Sequence, residues 1–301
     1  MEERKITCIW CIIICNTCGN YGAVGSYRRK GGGISVKKNK GLKEKRDIIG
    51  KIPNWGWLLL SLLAAIVLWY FLSINPSTAR SFPFIASIVE ACRTMVERGV
   101  LWQDFSSSMI SVVLGFVLGF VTAVPVAFLM AWYRPVRYIV EPWIQFIRNI
   151  PPLAYVPLVV ISAGVGRRPQ VIVIWLATFL IMSVTIYQGV RNVDETLIKA
   201  ARVLGAQDRD ILVKVIFPAT TPFIITAVRL GVSVALTTLI AAESTGAVAG
   251  LGMRIRSLNN SFEVAPMLLY IILIGIIGMT CEKVIKILER KLTGWQEKRE
   301  V

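Results

Sequence analysis

Six apolar segments of 18 to 25 residues constrain this chain more than any other feature. They cover residues 57–74, 108–132, 139–163, 171–190, 223–242 and 265–287, and charged connections separate them. Each meets or approaches the roughly 20 residues that a helix needs to cross about 30 Å of hydrocarbon. No water is available there to satisfy the backbone, so such runs must be helices or closed barrels. The runs are too continuous for barrel strands, which alternate over about ten residues. The composition agrees, because 55% hydrophobic and 17% charged residues suit a membrane bundle and not a soluble domain. The fold class expected is all-α: a polytopic membrane bundle of six transmembrane helices over residues 56–288.

The net charge is +16, but the basic residues form no single patch that would suit nucleic acid. They lie in the connections, where topology signals belong. With the N-terminus inside, the inner segments from residue 36 onward carry 20 Lys and Arg and the outer segments carry 7. That bias predicts a membrane protein with both termini cytoplasmic. Arg167 and Arg168, on an outer turn, run against it. Trp55, Trp57, Trp69, Trp132 and Trp143 fall near span ends, as an interfacial aromatic belt requires.

The chain has no histidine, which removes the commonest general base and metal ligand. Mid-span carboxylates are also missing: Glu141 opens the third span and Glu243 closes the fifth, while Arg148 and Arg229 fall inside spans. Solitary ion-coupled carriers and membrane-embedded enzymes need acids or metal ligands there, so both readings are disfavoured. Any uphill transport must take its energy from a partner. No Gly-x4-Gly-Lys-Ser/Thr loop is present, so ATP chemistry does not belong to this chain, and no cofactor is expected.

Residues 1–35 are set apart. Cys8, Cys11, Cys15 and Cys18 match no standard zinc or iron–sulfur spacing, and their apolar neighbours are too few to span a membrane. Arg28-Arg29-Lys30-Gly31-Gly32-Gly33 back-translates into a purine run like a ribosome-binding site, and Val36 can be read from a GTG start codon. We therefore expect residues 1–35 to be an untranslated extension and 36–55 a basic cytoplasmic N-terminus. A mass-spectrometric peptide from before Val36 would overturn that expectation. Residues 289–301 form a cytoplasmic C-terminal tail.

The longest inner connection, 191–220, reads as two short helices. Asp194 is an N-cap and Glu195 adds first-turn negative charge. Leu197, Ala200, Ala201 and Leu204 form an i, i+3, i+4, i+7 stripe. Gly205 fits the C′ position. Asp208 caps a second helix carrying Ile211, Leu212, Val215 and Ile216, which Pro218 and Pro222 should end. Such a hairpin is a solvated connector, a surface-lying element or a piece that docks into a partner's groove.

A pattern favours docking. Residues 199–218 read Lys-Ala-Ala-x3-Gly-x9-Val-x-Phe-Pro, which resembles the Glu-Ala-Ala-x3-Gly-x9-Ile-x-Leu-Pro signature of bacterial ABC importer permeases. The matches are Ala200, Ala201, Gly205, Val215, Phe217 and Pro218; Lys199 departs from the leading Glu. The resemblance extends along the chain. Arg148-Asn149-Ile150-Pro151-Pro152-Leu153-Ala154-Tyr155-Val156-Pro157-Leu158 is similar to the third-span motif of taurine, aliphatic sulfonate and nitrate permeases. Gly164-Val165-Gly166, Ala227-Val228-Arg229-Leu230-Gly231, Ala241-Ala242-Glu243, Gly250-Leu251-Gly252 and Arg290-Lys291-Leu292-Thr293-Gly294-Trp295 resemble later motifs of the same family.

The resemblance implies a MetI-like, type I architecture and no enzymatic activity of the chain's own. It implies two copies forming the pore, and an ABC ATP-binding subunit bound by the hairpin through Lys199, Ala200, Ala201, Gly205, Val215, Phe217 and Pro218. It further implies an extracytoplasmic solute-binding protein, and a small anionic solute such as taurine, an alkanesulfonate or nitrate. Thiamine-precursor pyrimidines are the alternative, since their permeases look alike.

Pro151, Pro152 and Pro157 cannot all sit in an undisturbed helix. Broken helix at membrane depth is tolerated where it is buried or lines a cavity, and helix ends near Arg148 would then face an anion path. Alternatively the prolines only bend the span to pack, and Arg148 snorkels or pairs. Arg229 and Glu243 lie some 20 Å apart along the fifth span at 1.5 Å per residue, so they cannot pair with each other. Each either pairs with another neighbour or contacts solute.

Overall fold

The computed structural model describes residues 54–292. The doubtful extension, the start at Val36, the basic N-terminus up to residue 53 and the tail from Thr293 lie outside the described residues. The chain divides into two units, Met1–Leu62 and Leu63–Val301, and of the first only the opening of one helix is described.

Among the described residues every regular element is a helix: α1 (Asn54–Ile74), α2 (Ile85–Glu97), α3 (Val100–Trp132), α4 (Arg134–Arg148), α5 (Pro152–Ala163), α6 (Arg167–Arg191), α7 (Glu195–Val203), α8 (Phe217–Gly246), α9 (Leu251–Asn260) and α10 (Val264–Leu292). A turn at Asp208–Asp210 and a π-helical segment, Ile211–Ile216, lead into α8 without a break. All six apolar segments are helical, the third with a break at residues 149–151. Four continuous helical runs, Val100–Trp132, Arg167–Arg191, Asp208–Gly246 and Val264–Lys291, are long and apolar enough to cross a membrane. The apolar part of α1, Leu59–Ile74, is shorter.

The expected third span is two helices. α4 and α5 meet at 103°, so the single continuous helix expected over 139–163 is corrected to a bent pair. The cause lies in the sequence. Pro151 and Pro152 cannot donate the next helical hydrogen bonds, and a residue before proline is pushed out of the α region. Pro151 accordingly takes an extended ψ of 134°. The last amides of α4 close as tighter turns, Asn149 N–H to Phe146 O at 3.3 Å and Ile150 N–H to Ile147 O at 3.0 Å. Pro157, by contrast, is accommodated inside α5.

A second correction concerns Pro218 and Pro222, which do not end the second hairpin helix. Pro218 stands in the first turn of α8 and Pro222 inside it. The wider π turns at Ile211–Ile216 lie immediately before Pro218 and change which carbonyls face its ring, so the chain runs on. A third difference is length: α3 starts at Val100 and not at Ser108, which carries Asp104 into the helix. The helices α2 and α9 lie in connections read as loops.

The core is built around α6, which packs between α3 and α8. α3 offers it a stripe of small buried residues: Ser108, Ser111, Gly115, Gly119, Ala123 and Ala127. Small side chains at such spacing let helix backbones approach closely, which is how helices associate where solvent gives no hydrophobic drive. The approach leaves no spare room. A Cβ on Gly115 would stand 2.7 Å from Ile174 Cβ, and one on Gly119 would collide with Thr178. Larger residues (Met130, Leu180, Met182, Ile186 and Tyr187) close the core toward the hairpin.

Candidate functional site

Three constellations hold the residues singled out from the sequence. The first lies at the end of the bundle away from the hairpin. Gly250 adopts φ 148°, a left-handed-side conformation that a side chain would strain, and this turn opens α9. A helix start leaves amides without intrahelical partners. Here three side chains take them: Asp104 Oδ1 accepts from Gly250 N–H at 3.2 Å, Ser108 Oγ from Leu251 N–H at 2.8 Å, and Glu243 Oε2 from Gly252 N–H at 2.7 Å. Ser108 Oγ donates to Glu243 Oε1 at 2.6 Å. Asp104 also accepts from Arg254 Nε at 2.8 Å and from Tyr270 Oη at 3.0 Å. Asp104, Ser108, Glu243 and Tyr270 are all buried. Arg254 lies outside the spans, and its hydrogen bond to Asp104 raises its pKa further above its ordinary value. The network thus ties α3, α8, α9 and α10 together. Glu243 and the Gly250-Leu251-Gly252 motif were legible in the sequence as separate features. Asp104, Ser108, Arg254 and Tyr270 were not, since partners up to 166 residues apart leave no local pattern.

The second constellation is the α4–α5 bend. Arg148 and Pro152 line a cavity of about 260 Å³, together with Ile150, Tyr155, Leu180 and Thr238. Pro151 is the N-cap residue of α5, and Pro157 is exposed farther along that helix. Arg148 donates to Gln145 Oε1 at 3.1 Å and has no carboxylate partner among the described residues. Arg229 stands elsewhere. It pairs with Glu289 and lines a groove between α8 and α10 with Ser233, Thr237 and Glu282. Thr237 lines both spaces. The structure therefore brings Arg148 and the proline pair together, sets Arg229 one helix face away, and puts Glu243 in the separate buried network.

The third constellation is the hairpin. Asp194 Oδ1 accepts from Thr196 N–H at 2.8 Å as the N-cap of α7, which holds the Asp194 carboxyl below the usual Asp range. Gly205 takes φ 79° and Ala206 N–H reaches back to Ala201 O at 3.0 Å, a Schellman-type ending. Lys199 pairs with Glu195 at 3.1 Å. Val215 is half-buried, Pro218 is exposed, and Phe217 stacks on Phe128 with ring centroids 5.6 Å apart. Ala200 is exposed and Ala201 half-buried. At the turn Val203 and Leu204 stand 88% and 87% exposed, so these two apolar side chains have no cover among the described residues.

The profile of the binding-protein-dependent transport system inner membrane component family matches residues 111–294. An ABC transporter permease protein of Brucella abortus (strain 2308) is 41% identical over 248 residues, 82% of this chain and 98% of its own length. The taurine transport system permease protein TauC of Escherichia coli (strain K12) is 35% identical over 195 residues, 65% of this chain and 71% of its own. Of solved structures, the inward-facing MetNI methionine ABC transporter shares the fold with a TM-score of 0.56 at 19% identity, over 64% of this chain and 97% of that one. The chain therefore belongs to the binding-protein-dependent transport system inner membrane component family, as a permease subunit of an ABC importer, a class that works with separate ATP-binding subunits.

Proposed function

We propose that this permease imports a small anionic solute, of the taurine, alkanesulfonate or nitrate kind, through a pathway that passes the α4–α5 bend. The observation that carries the reading is Arg148: a cation without a carboxylate partner among the described residues, beside a cavity at a broken helix. Helix breaks near the bilayer midplane are where transporters place solute sites, because backbone groups and helix ends are freed there. Relatives named for taurine and for aliphatic sulfonates support the solute class. The prolines at 151, 152 and 157 shape this path; Arg229 lines the neighbouring α8–α10 groove, which shares Thr237 with it, and Glu243 holds the far end of α8 in register.

In this reading two copies form the pore, both termini are cytoplasmic, and an extracytoplasmic binding protein delivers the solute. The 191–220 hairpin seats in a cleft of the ATP-binding subunit. Val203 and Leu204 support that role, since two adjacent large apolar side chains at nearly full exposure suit a buried anchor in a partner pocket. ATP-driven closure of the partner then moves the hairpin, and through the continuous Asp208–Gly246 run it moves α8.

Two substitutions test the reading. Leu204→Asp should abolish co-purification of the ATP-binding subunit while the permease still accumulates in the membrane; unchanged co-purification refutes the docking role. Arg148→Ala should abolish anion uptake at a normal protein level, and normal uptake rejects the pathway role.

A further inference from the structure

We infer that the α4–α5 cavity is a solute site within the permease itself, where Arg148 attracts a small oxoanion and the hydroxyls of Thr238 and Tyr155 donate hydrogen bonds to its oxygens. The inference rests on the anion reading above and adds the two residues that decide which solutes pass.

Thr238 carries the argument. It is only 2% exposed, it lines the cavity, and its Oγ1 is buried without a hydrogen-bond partner. Other span threonines return their hydroxyl to their own helix, as Thr178 does to Ile174 O at 2.8 Å and Thr226 to Pro222 O at 2.9 Å. A buried hydroxyl that declines this local bond is costly unless something else accepts from it. Tyr155 lines the same cavity from α5. It is half-buried in the first turns of α5, and its hydroxyl has no partner among the described residues. The first turn of α5, from Pro152, adds the positive end of a helix to the same wall.

Apart from Thr237, whose hydroxyl returns to its own helix, the rest of the lining is apolar: Ile147, Ile150, Ala177, Leu180, Ile181 and Val234. Apolar walls with a few placed donors are how small-molecule sites fix orientation. The volume of about 260 Å³ equals about nine waters at roughly 30 Å³ each, which suits an oxoanion head with a short tail. Leu180 lies in the middle of α6, so the cavity sits at mid-membrane depth.

The test uses the complete transporter, with its ATP-binding subunit and saturating binding protein, in proteoliposomes. The probes are radiolabelled taurine, methanesulfonate and nitrate. Thr238→Val keeps the shape and removes the donor. It should lower uptake of the transported anion tenfold or more while the ATPase rate stimulated by loaded binding protein stays at the wild-type level; Thr238→Ser should restore uptake. Tyr155→Phe should lower uptake about tenfold, the effect of one hydrogen bond to a charged group. If Thr238→Val fails to accumulate, Tyr155→Phe carries the test alone, because its ring is kept. Wild-type uptake by the isosteric variants overturns the inference. A wild-type transporter that moves none of the three anions overturns the anion reading instead.

Discussion

Asp104 shows how a single buried carboxylate organises distant parts of this permease. It accepts hydrogen bonds from a glycine amide and an arginine at the start of α9 and from a tyrosine on α10. Removing one member of a buried pair leaves the other charge uncompensated. Arg254 keeps some exposure, so Asp104→Ala should cost about 3 kcal/mol, at the lower end for broken buried pairs. Ser108→Ala breaks no ion pair; it removes the hydrogen bond to the Glu243 carboxyl and the one from the Leu251 amide and should cost about 1–2 kcal/mol. Thermal unfolding of the purified permease in detergent reads both, and equal shifts would refute the ranking. At the hairpin, the carboxyl of Asp194 titrates below the usual Asp range because it accepts the Thr196 amide. A depressed folded-state pKa means that the cap stabilises α7 above the unfolded-state value and is lost as pH falls through the folded one. Binding of the ATP-binding subunit should therefore be insensitive to Asp194 titration around neutrality. Asp194→Ala should weaken binding and Asp194→Asn should retain it; pull-down of that subunit checks this, and wild-type binding by Asp194→Ala would count against the cap.

The elements differ in how plainly their sequences announced them. The apolar runs of α3, α6, α8 and α10 were unmistakable, because length and hydropathy alone decide that they can span a bilayer. The first hairpin helix was legible down to its caps, since Asp194 and Gly205 act on their own neighbours, but Asp208, expected to cap the second, stands in its first turn after Gln207 and pairs with Arg202 instead. The bend at 103° was visible as prolines but not as an angle. Pro218 misled, because the π-helical turns before it were not readable from propensity. The small-residue stripe of α3 was present in the sequence, but its partner helix was not. Gly119 faces Thr178 so closely that any side chain collides. Gly119→Leu should destabilise the permease by about 1–3 kcal/mol through overpacking, with Gly119→Ala intermediate. Thermal unfolding measures the series, and equal stability of all three proteins would show that α3 and α6 do not pack this way.

For the whole molecule, the lack of mid-span carboxylates and of a phosphate loop means that the chain has no energy source of its own. Reconstituted alone, it should give no solute accumulation under a proton or sodium gradient. Uptake should appear only when the ATP-binding subunit, the binding protein and ATP are supplied, and gradient-driven accumulation in flux assays would refute this. What the sequence alone determined was everything set by local chemistry and solvent: the all-helical membrane class, the dependence on a partner for energy, the capped hairpin and the family resemblance. What only the tertiary structure decided was which groups meet. Glu243 turned out to cap a glycine turn beside Ser108 and Asp104, Arg229 to pair with Glu289, and Arg148 to share a cavity with Tyr155 and Thr238. Helix spacing and hydropathy act over a few residues. These contacts close loops of up to more than a hundred residues, and packing alone selects their partners.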